Sequence, residues 1–299
     1  MKILIVSDTT KNNYKVVKDS LAKHDVCFAC KNDYVEKIKD FEYIIAGREL
    51  YSKDILEKAK KLRVISRCGH GTDAIDKDYC REHGIVVLDA RGSLDDTMAD
   101  VTIGYMIMAL RRLKEIDSEV REDWKPILGN DLTGKTVGIV GLGGIGTAVA
   151  KRLQGFKTHT VFYDIDSKKQ RDYPYASFVS LKELFKVSDV VTLHCDLNDK
   201  SRNMINAKSI LLMDRSPLLI NTARGELIDM DIFPFAFHID SISYCVFDVY
   251  PVEPLPFFSI IKTFDNVILG SHSACFSVEG QRKLAVKAVG NLLRYVEVN

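Results

Sequence analysis

Short apolar runs without polar alternation recur along the whole chain, and this pattern constrains the fold more than any other feature. In the first part of the chain, polar segments with helical spacing separate these runs, as at 12–23 and 52–60. Strands that are buried on both faces and separated by helices predict a parallel sheet covered by helices on either side. The predicted strands of this first series are 2–6, 26–29, 43–46, 63–66 and 85–88.

A second series of the same kind follows a long helical stretch predicted at 95–121, which we interpret as the connector between two domains. The sequence therefore predicts an α/β protein with two doubly wound parallel-sheet domains. The last helix, predicted at 279–296, cannot extend the second sheet, so we expect residues 1–96 plus 275–299 to form one domain and 97–274 the other. The predicted strands of the second series are 136–140, 158–163, 190–193, 218–221, 244–247 and 267–269.

The composition excludes several classes of partner. The 299 residues include 42 Lys and Arg against 41 Asp and Glu, so there is no excess of positive charge for nucleic acid or an anionic membrane surface. The longest apolar stretch, 101–110, is about half of what a bilayer crossing needs, and the N-terminus turns polar too soon for a signal peptide. We therefore expect a cytoplasmic protein that acts on small molecules.

The cysteines favour the same compartment. Seven cysteines, an odd number scattered along a long chain, are typical of reduced thiols rather than a disulfide framework. Cys27 and Cys30 form a CxxC pair, but no further ligands stand at zinc-site spacing. We predict no metal site.

The predicted strand 136–140 runs directly into a glycine-rich loop, Gly141-Leu142-Gly143-Gly144-Ile145-Gly146, and then into a helix. This is the context that a GxGxxG dinucleotide-binding loop requires. Gly141 permits the tight turn, Gly143 admits a pyrophosphate, and Gly146 lets the helix pack close to the strand. The phosphates would then meet the N–H groups of Gly144 and Ile145 at the helix N-terminus.

Asp164 stands at the end of the next predicted strand, and this makes the loop a stronger signal. A carboxylate at that place accepts hydrogen bonds from the adenosine ribose hydroxyls and repels the extra phosphate of NADP. We therefore predict NAD as the cofactor. The alternative, that Asp164 only begins a solvated turn with Asp166, stays open at this point.

Five further segments, taken in order with the glycine loop, resemble the D-isomer-specific 2-hydroxyacid dehydrogenases, a family that includes phosphoglycerate dehydrogenase. Each segment alone is suggestive, whereas their common order is highly specific. The resemblance implies a flavodoxin-like substrate domain, a Rossmann NAD-binding domain and a homodimer. The segments are Ser66-Arg67-Cys68-Gly69-His70-Gly71-Thr72-Asp73-Ala74-Ile75-Asp76, Leu193-His194-Cys195-Asp196-Leu197, Asn221-Thr222-Ala223-Arg224-Gly225, Phe247-Asp248-Val249-Tyr250-Pro251-Val252-Glu253-Pro254 and Gly270-Ser271-His272.

The chemistry of a 2-hydroxy acid needs a cation for the carboxylate and a proton carrier for the hydroxyl. Arg224 and His272 each follow a predicted strand, at the sheet edge where ligands bind. The planar guanidinium of Arg224 suits a bidentate grip on a carboxylate, and an imidazole works as acid and base near neutrality. Glu253 would hold the imidazole in orientation. These three residues are the predicted catalytic set.

The resemblance assigns further residues to the cofactor and the substrate. It places Asp248 near the nicotinamide and the backbone of Thr222 beside it, with Ala223 and His194 also on the cofactor side. The glycines around His70 expose backbone N–H groups that form an anion-binding nest. The predicted substrate-binding residues are Cys68, Gly69, His70, Gly71 and Arg224.

Two segments depart from the family pattern. Pro234 lies where a regular helix is usual, so we expect that helix to be shortened or displaced and the placement of the neighbouring Asp248 to be affected. Ser271 stands where proline is common, and Ser273-Ala274-Cys275 replaces an apolar residue and glycines.

An NAD-binding regulator or corepressor on the same fold is the alternative function. Formate dehydrogenation is disfavoured by Glu253, because formate has no hydroxyl to deprotonate.

Overall fold

The computed structural model describes residues 1–298, and the chain divides into two compact units. The first unit is Met1–Leu94 together with the chain from Cys275 onward, and the second is Asp95–Ala274. Each unit is built on one sheet in which all neighbouring strands are parallel. The predicted α/β class with two doubly wound parallel-sheet domains is confirmed.

The first unit has a five-stranded sheet in the order β2-β1-β3-β4-β5, the flavodoxin-like order. Its strands are β1 Lys2–Ile5, β2 Asp25–Phe28, β3 Tyr43–Ala46, β4 Val64–Arg67 and β5 Val86–Leu88. Its helices are α1 Asp8–Asn12, α2 Tyr14–Leu21, α3 Tyr34–Lys37, α4 Lys53–Leu56, α5 Lys77–Glu82 and the C-terminal helix Val278–Val298, with a 3-10 turn at Ile38–Asp40. The C-terminal helix packs on β3 and β4, where Ser66 Oγ donates to the carbonyl of Ala288 at 2.7 Å.

The second unit has a seven-stranded sheet in the order β12-β11-β10-β9-β6-β7-β8. Its strands are β6 Thr136–Val140, β7 His159–Tyr163, β8 Ser177–Phe178, β9 Val190–Leu193, β10 Leu218–Asn221, β11 Tyr244–Phe247 and β12 Val267–Leu269. Its helices are α6 Asp95–Leu110, α7 Leu113–Val120, α8 Gly144–Leu153, α9 Leu181–Val187, α10 Ala207–Ile210 and α11 Phe233–His238. Shorter 3-10 turns lie at Gln154–Phe156, Ser167–Lys169, Gly225–Leu227, Met230–Ile232 and Ile260–Thr263.

The centre of the second sheet is buried because both of its faces are covered. Every residue of β9, β10 and β11 is buried, which explains why these strands read as continuous apolar runs. Helices α6 and α8 cover one face, and Arg152 of α8 pairs with Asp96 and Asp100 of α6 at 3.0 and 2.7 Å. Within residues 1–298, no helix combines the length and the apolar character that a membrane crossing requires.

Two predicted helices differ from the structure, which also has one strand more than predicted. The single helix predicted at 95–121 is wrong: Arg112 adopts a left-handed conformation with φ 53°, which ends α6 and starts α7 in a new direction. The helix predicted at 52–60 forms only over Lys53–Leu56. Beyond it, the N–H groups of Lys58 and Ala59 donate to the carbonyls three residues earlier, which is the tighter pattern of a 3-10 turn. The short strand β8 was not predicted.

Pro234 does not break the helix in which it lies. Helix α11 begins at Phe233, so Pro234 stands in its first turn, where a backbone N–H has no acceptor within the helix. Helix α11 has six residues. The expected displacement of Asp248 is not observed, because β11 pairs in register with both neighbouring strands and delivers Asp248 directly after Phe247.

Candidate active and cofactor site

The predicted cofactor and catalytic residues of the second unit all lie at one edge of its sheet. Since every neighbouring pair is parallel, the loops that follow the strands emerge at the same edge. The loops after β6, β7 and β9 carry predicted cofactor residues. The loops after β10, β11 and β12 carry the predicted catalytic residues, together with the predicted cofactor residues Thr222, Ala223 and Asp248. The strand order reverses between β6 and β9, the place where doubly wound sheets bind their ligands.

The glycine loop has the geometry of a phosphate cradle. Gly141 has φ 95°, a left-handed value that a side chain disfavours. A Cβ on Gly146 would lie 2.1 Å from the carbonyl oxygen of Gly141, so the loop closes only with glycine there. A Cβ on Gly143 would have nothing within 4 Å, which means that the space beside this residue is open for a ligand. The loop leads into the N-terminus of α8, whose first N–H groups lack acceptors within the helix.

Two more residues complete the surroundings of this cradle. Gly144, the first residue of α8, faces the carboxylate of Asp95, whose Oδ2 would be 2.0 Å from an added Cβ. Ile145 is half-buried and packs on the core between the sheet and α6. An open cradle at the start of a ten-residue helix therefore fits the pyrophosphate of a dinucleotide.

Asp164 is buried beside the cradle and does not merely begin a solvated turn. It is 8% exposed, and its Oδ2 accepts the N–H of Leu142 in the glycine loop at 2.8 Å. Its Oδ1 accepts the N–H of Asp166 at 2.9 Å, and the ammonium of Lys169 lies 3.3 Å from Oδ2. The carboxylate thus fixes the loop, and Lys169 is a neighbour that sequence reasoning missed. In the sequence, only the lysine pair Lys168-Lys169 shortly after Asp164 could have indicated this contact.

His194 follows β9 and lies next to the glycine loop. Its backbone N–H donates to Val140 at 2.8 Å, and its Nε2 lies 2.9 Å from Oγ1 of Thr192. Burial lowers the pKa of His194 to about 4, so the imidazole is neutral near physiological pH. This histidine supports the cofactor edge of the sheet through its bonds to Val140 and Thr192.

The loop after β10 is shaped by a buried asparagine. The side chain of Asn221 donates to the carbonyl of Arg224 at 2.7 Å and accepts the N–H of Ala223 at 3.0 Å. These two bonds fold the loop back on itself. Arg224 is half-buried in this loop, and its Nη1 donates to the carbonyl of Ala223 at 2.6 Å. Gly225 must be glycine, since its Cβ would lie 2.0 Å from the backbone of Tyr250. The hydroxyl of Thr222 is buried and makes no hydrogen bond within residues 1–298.

Glu253 and His272 are joined directly. Nδ1 of His272 lies 2.7 Å from Oε2 of Glu253, and each side chain is about one-third exposed, at 32% and 34%. Because a carboxylate accepts, Nδ1 carries the proton of this bond. The other ring nitrogen, Nε2, is therefore the one that can take up or release a proton.

Asp248 anchors the loop that carries His272. Its carboxylate is buried and accepts the N–H groups of Ser273 at 3.0 Å and Ala274 at 2.9 Å, while its carbonyl accepts the N–H of His272 at 2.7 Å. These bonds hold His272 at φ 55°, a conformation that costs a non-glycine residue about 1–3 kcal/mol. Burial raises the pKa of Asp248, and the two N–H donors oppose that rise. Gly270 is required as well, because a Cβ there would lie 2.2 Å from Oδ1 of Asp248.

Tyr250 is a second supporting residue that sequence reasoning missed. Its N–H donates to Oε1 of Glu253 at 3.0 Å, and its hydroxyl lies 2.9 Å from the carbonyls of Phe247 and Gly270. Tyr250 therefore connects the carboxylate of the Glu253–His272 pair to the strand ends on either side. In the sequence, only its position between Asp248 and Glu253 could have indicated this supporting role.

The predicted anion nest of the first unit is partly used by the protein itself. The N–H of Cys68 donates to the carbonyl of Ala46 at 2.8 Å, and the N–H of Gly69 donates to the carbonyl of Arg67 at 3.0 Å. Both of these N–H groups are therefore bonded within the protein. Burial also raises the pKa of the Cys68 thiol, so this side chain stays neutral.

The sequence is similar to those of known proteins. Residues 103–274, more than half of the 299, match the family model described as D-isomer specific 2-hydroxyacid dehydrogenase, NAD binding domain. Among curated proteins, the glyoxylate reductase of Thermofilum pendens is 34% identical over 80% of this chain and 74% of its own. The hydroxypyruvate reductase of Thermotoga maritima is also 34% identical, over 84% of this chain and 83% of its own.

Solved structures have the same fold. The TT0316 protein from Thermus thermophilus superposes with a TM-score of 0.89 at 29% identity, covering 100% of this chain and 98% of that one. The similarity in sequence and in structure thus extends over both units of the chain.

Proposed function

This chain belongs to the D-isomer specific 2-hydroxyacid dehydrogenase family, and on that premise we propose that Arg224, Glu253 and His272 catalyse its reaction. The reaction is reversible hydride transfer between NAD(H) and a D-2-hydroxy acid or 2-keto acid. The observation that carries the assignment of roles is the 2.7 Å contact between Nδ1 of His272 and Glu253.

His272 acts as the acid and base of this reaction. With Nδ1 bound to Glu253, Nε2 takes the hydroxyl proton during oxidation and returns it to the carbonyl oxygen during reduction. Glu253 stabilises the imidazolium that forms and keeps the ring from turning. Tyr250 and Asp248 hold the two partners in place through the backbone bonds described above.

Arg224 binds the substrate and takes no part in the proton transfer. Its guanidinium follows β10, one strand from the element that carries Glu253 and two strands from the one that carries His272. A planar cation holds a carboxylate through two parallel hydrogen bonds and polarises the neighbouring carbonyl. This grip orients the reacting carbon with respect to His272. The loop Cys68-Gly69-His70-Gly71 of the first unit stays a second proposed site for an anion.

NAD fits the residues at the cofactor edge of the sheet. Gly141, Gly143, Gly144, Ile145 and Gly146 would hold its pyrophosphate, and Asp164 its adenosine ribose. His194, Thr222, Ala223 and Asp248 would line the remaining part. When bound, the nicotinamide supplies the acceptor or donor of the hydride.

Small 2-keto acids are the proposed substrates, because the relatives quoted above are named glyoxylate reductase and hydroxypyruvate reductase. The test is a panel of 2-keto acids, with glyoxylate and hydroxypyruvate first, in which loss of NADH absorbance is followed. NADH oxidation with at least one of the panel supports the proposal. If the protein binds NADH but oxidises it with none of the acids, the alternative of an NAD-binding regulator takes its place.

We also propose that the protein is a homodimer. Every residue of α7 is at least partly exposed, and the segment after it carries Trp124 and Leu128, exposed by 81% and 92%. Large apolar side chains that are exposed together mark protein interfaces. Light scattering should give twice the mass of one chain, and Leu128→Asp should give the monomer. A monomeric wild-type protein contradicts the proposal.

The cytoplasm is the proposed compartment. The seven cysteines, all within the described range, form no disulfide, and such thiols persist where the medium is reducing. Cell fractionation with a periplasmic or secreted marker tests this location, and co-fractionation with that marker contradicts it.

A further inference from the structure

Lys169 stands at the place where the dinucleotide site distinguishes its two possible cofactors. Asp164 directly follows β7, and its carboxylate bonds to Leu142 of the glycine loop, which puts it in the region proposed above for the adenosine ribose. NAD has a 2′-hydroxyl on that ribose, and NADP has a 2′-phosphate. An acidic residue alone favours the hydroxyl and repels the phosphate.

The carboxylate of Asp164 is already heavily engaged. Its Oδ2 accepts the N–H of Leu142 and lies 3.3 Å from Nζ of Lys169, while its Oδ1 accepts the N–H of Asp166. Each carboxylate oxygen offers about two acceptor positions, so the positions of Oδ2 are filled and one remains on Oδ1. A ribose with two free hydroxyls therefore meets fewer acceptors here than an unpaired aspartate would offer.

The charge at this point is also balanced. Lys169 is held near Asp164 by the turn Ser167–Lys169, which Asp166 caps by accepting the N–H of Lys168 at 3.0 Å. The side chain of Gln170 donates to the carbonyl of Asp164 at 3.2 Å and ties the far end of this turn to the strand. The ammonium thus offsets the negative charge that would repel a 2′-phosphate.

We propose that Lys169 weakens the discrimination between NAD and NADP, so that this enzyme accepts NADPH as a second cofactor through an ion pair between Lys169 and the 2′-phosphate. The inference rests on the dehydrogenase function proposed above. On binding NADPH, the ammonium turns from Asp164 to the phosphate, and no covalent bond changes. With NADH, Lys169 stays on Asp164.

The test compares cofactor use in variants of the full-length protein. We measure kcat/KM for NADPH and for NADH, with glyoxylate or the best 2-keto acid of the panel. Hydrogen bonds between charged groups are worth enough to change an affinity by about tenfold to about a hundredfold. Lys169→Ala should therefore lower the NADPH-to-NADH ratio at least about tenfold, and Lys169→Arg should keep it. Lys186→Ala, at the last turn of α9, is the control for loss of one surface charge.

A binding measurement removes the dependence on turnover. Adenosine 2′,5′-bisphosphate and AMP are titrated calorimetrically into each variant. Loss of affinity for the bisphosphate alone, in Lys169→Ala but not in Lys186→Ala, supports the proposal. Equal affinities in these two variants, or an unchanged cofactor ratio in Lys169→Ala, overturn it. If neither cofactor is oxidised while bisphosphate binding still depends on Lys169, the proposed reaction fails and the assignment of Lys169 stands.

Discussion

The loop after β6 and the loop after β12 lie at the same edge of one sheet, yet they are built in opposite ways. The glycine loop at 141–146 owes its shape to missing side chains: a Cβ on Gly141 or Gly146 would lie within 3 Å of backbone atoms. The histidine loop at 270–274 owes its shape to a polar network, in which Asp248 binds three successive N–H groups. A cradle for a ligand needs open space, whereas a proton carrier needs a fixed side chain.

The histidines beside these two loops show the consequence. His194, next to the glycine loop, is half-buried, and desolvation lowers its pKa to about 4, so it is neutral near physiological pH. His272 is one-third exposed and bonded to a carboxylate, which prepares it for proton transfer. The same residue type at two strand ends of one sheet therefore has a structural role in one case and a proposed chemical role in the other, and the surroundings decide between them.

The largest expected effect comes from His272→Ala. Removal of an acid–base catalyst lowers turnover by about a hundredfold or more, while NADH affinity should change little because the glycine loop is untouched. Steady-state kinetics and NADH fluorescence titration measure the two quantities. His238→Ala, a histidine at the end of α11, is the control. Collapse of NADH affinity instead of turnover would show that His272 belongs to the cofactor region.

Gly143→Ala tests the other loop. Since an added Cβ meets nothing within 4 Å, the protein should fold with unchanged thermal stability. The methyl group would occupy the open space of the cradle, so NADH affinity should fall at least about tenfold through lost contacts to the pyrophosphate. Gly155→Ala, where a Cβ is equally unhindered but distant from the loop, is the control. Wild-type NADH affinity in Gly143→Ala would refute the proposed position of the pyrophosphate.

Asp248→Asn tests the anchor of the histidine loop. The amide replaces one acceptor oxygen by a donor, so either Ser273 or Ala274 loses its partner and His272 loses part of its support. We expect kcat to fall by about tenfold, less than the roughly hundredfold loss that a full 1 Å displacement of a catalytic group can cause, because one of the two side-chain bonds is kept. Asp265→Asn in the exposed loop before β12 is the control. A rise in the dissociation constant of NADH with unchanged kcat would favour a direct contact of Asp248 with the cofactor.

The smallest expected effect is the contribution of His194 to pH dependence. Its pKa is about 4 in the folded protein and about 6.5 when unfolded, so the unfolded chain binds more protons between these values. The contribution of the neutral His194 to the free energy of unfolding is complete above the unfolded pKa and is lost as the pH falls toward 4.

Between about pH 7.5 and about pH 5.5, the free energy of unfolding should fall by about 1 kcal/mol more in the wild type than in His194→Gln. Denaturant unfolding at the two pH values measures this difference. Equal losses in the two proteins would mean that the surroundings of His194 admit the charged imidazole.

The order of elements and the positions of the motifs could be predicted from the sequence, because they depend on local patterns. Apolar runs located eleven of the twelve strands, with every end within one residue of the observed one. The glycine loop was recognisable because a predicted strand precedes it and a predicted helix follows it. The two-residue strand β8 was missed because it is too short to show a pattern. The break between α6 and α7 was missed because a left-handed arginine has no signature in composition.

The contacts that complete the site could not be predicted in this way. The sequence by itself determined the fold class, the family and the residue types after each strand, since hydrophobic periodicity and glycine spacing are properties of the chain. Only the tertiary structure decided that Asp248 anchors the histidine loop, that Tyr250 supports Glu253 and that Lys169 reaches Asp164. The last two contacts join residues only three and five positions apart, but each depends on a backbone path that parallel strand pairing and loop hydrogen bonds fix in space.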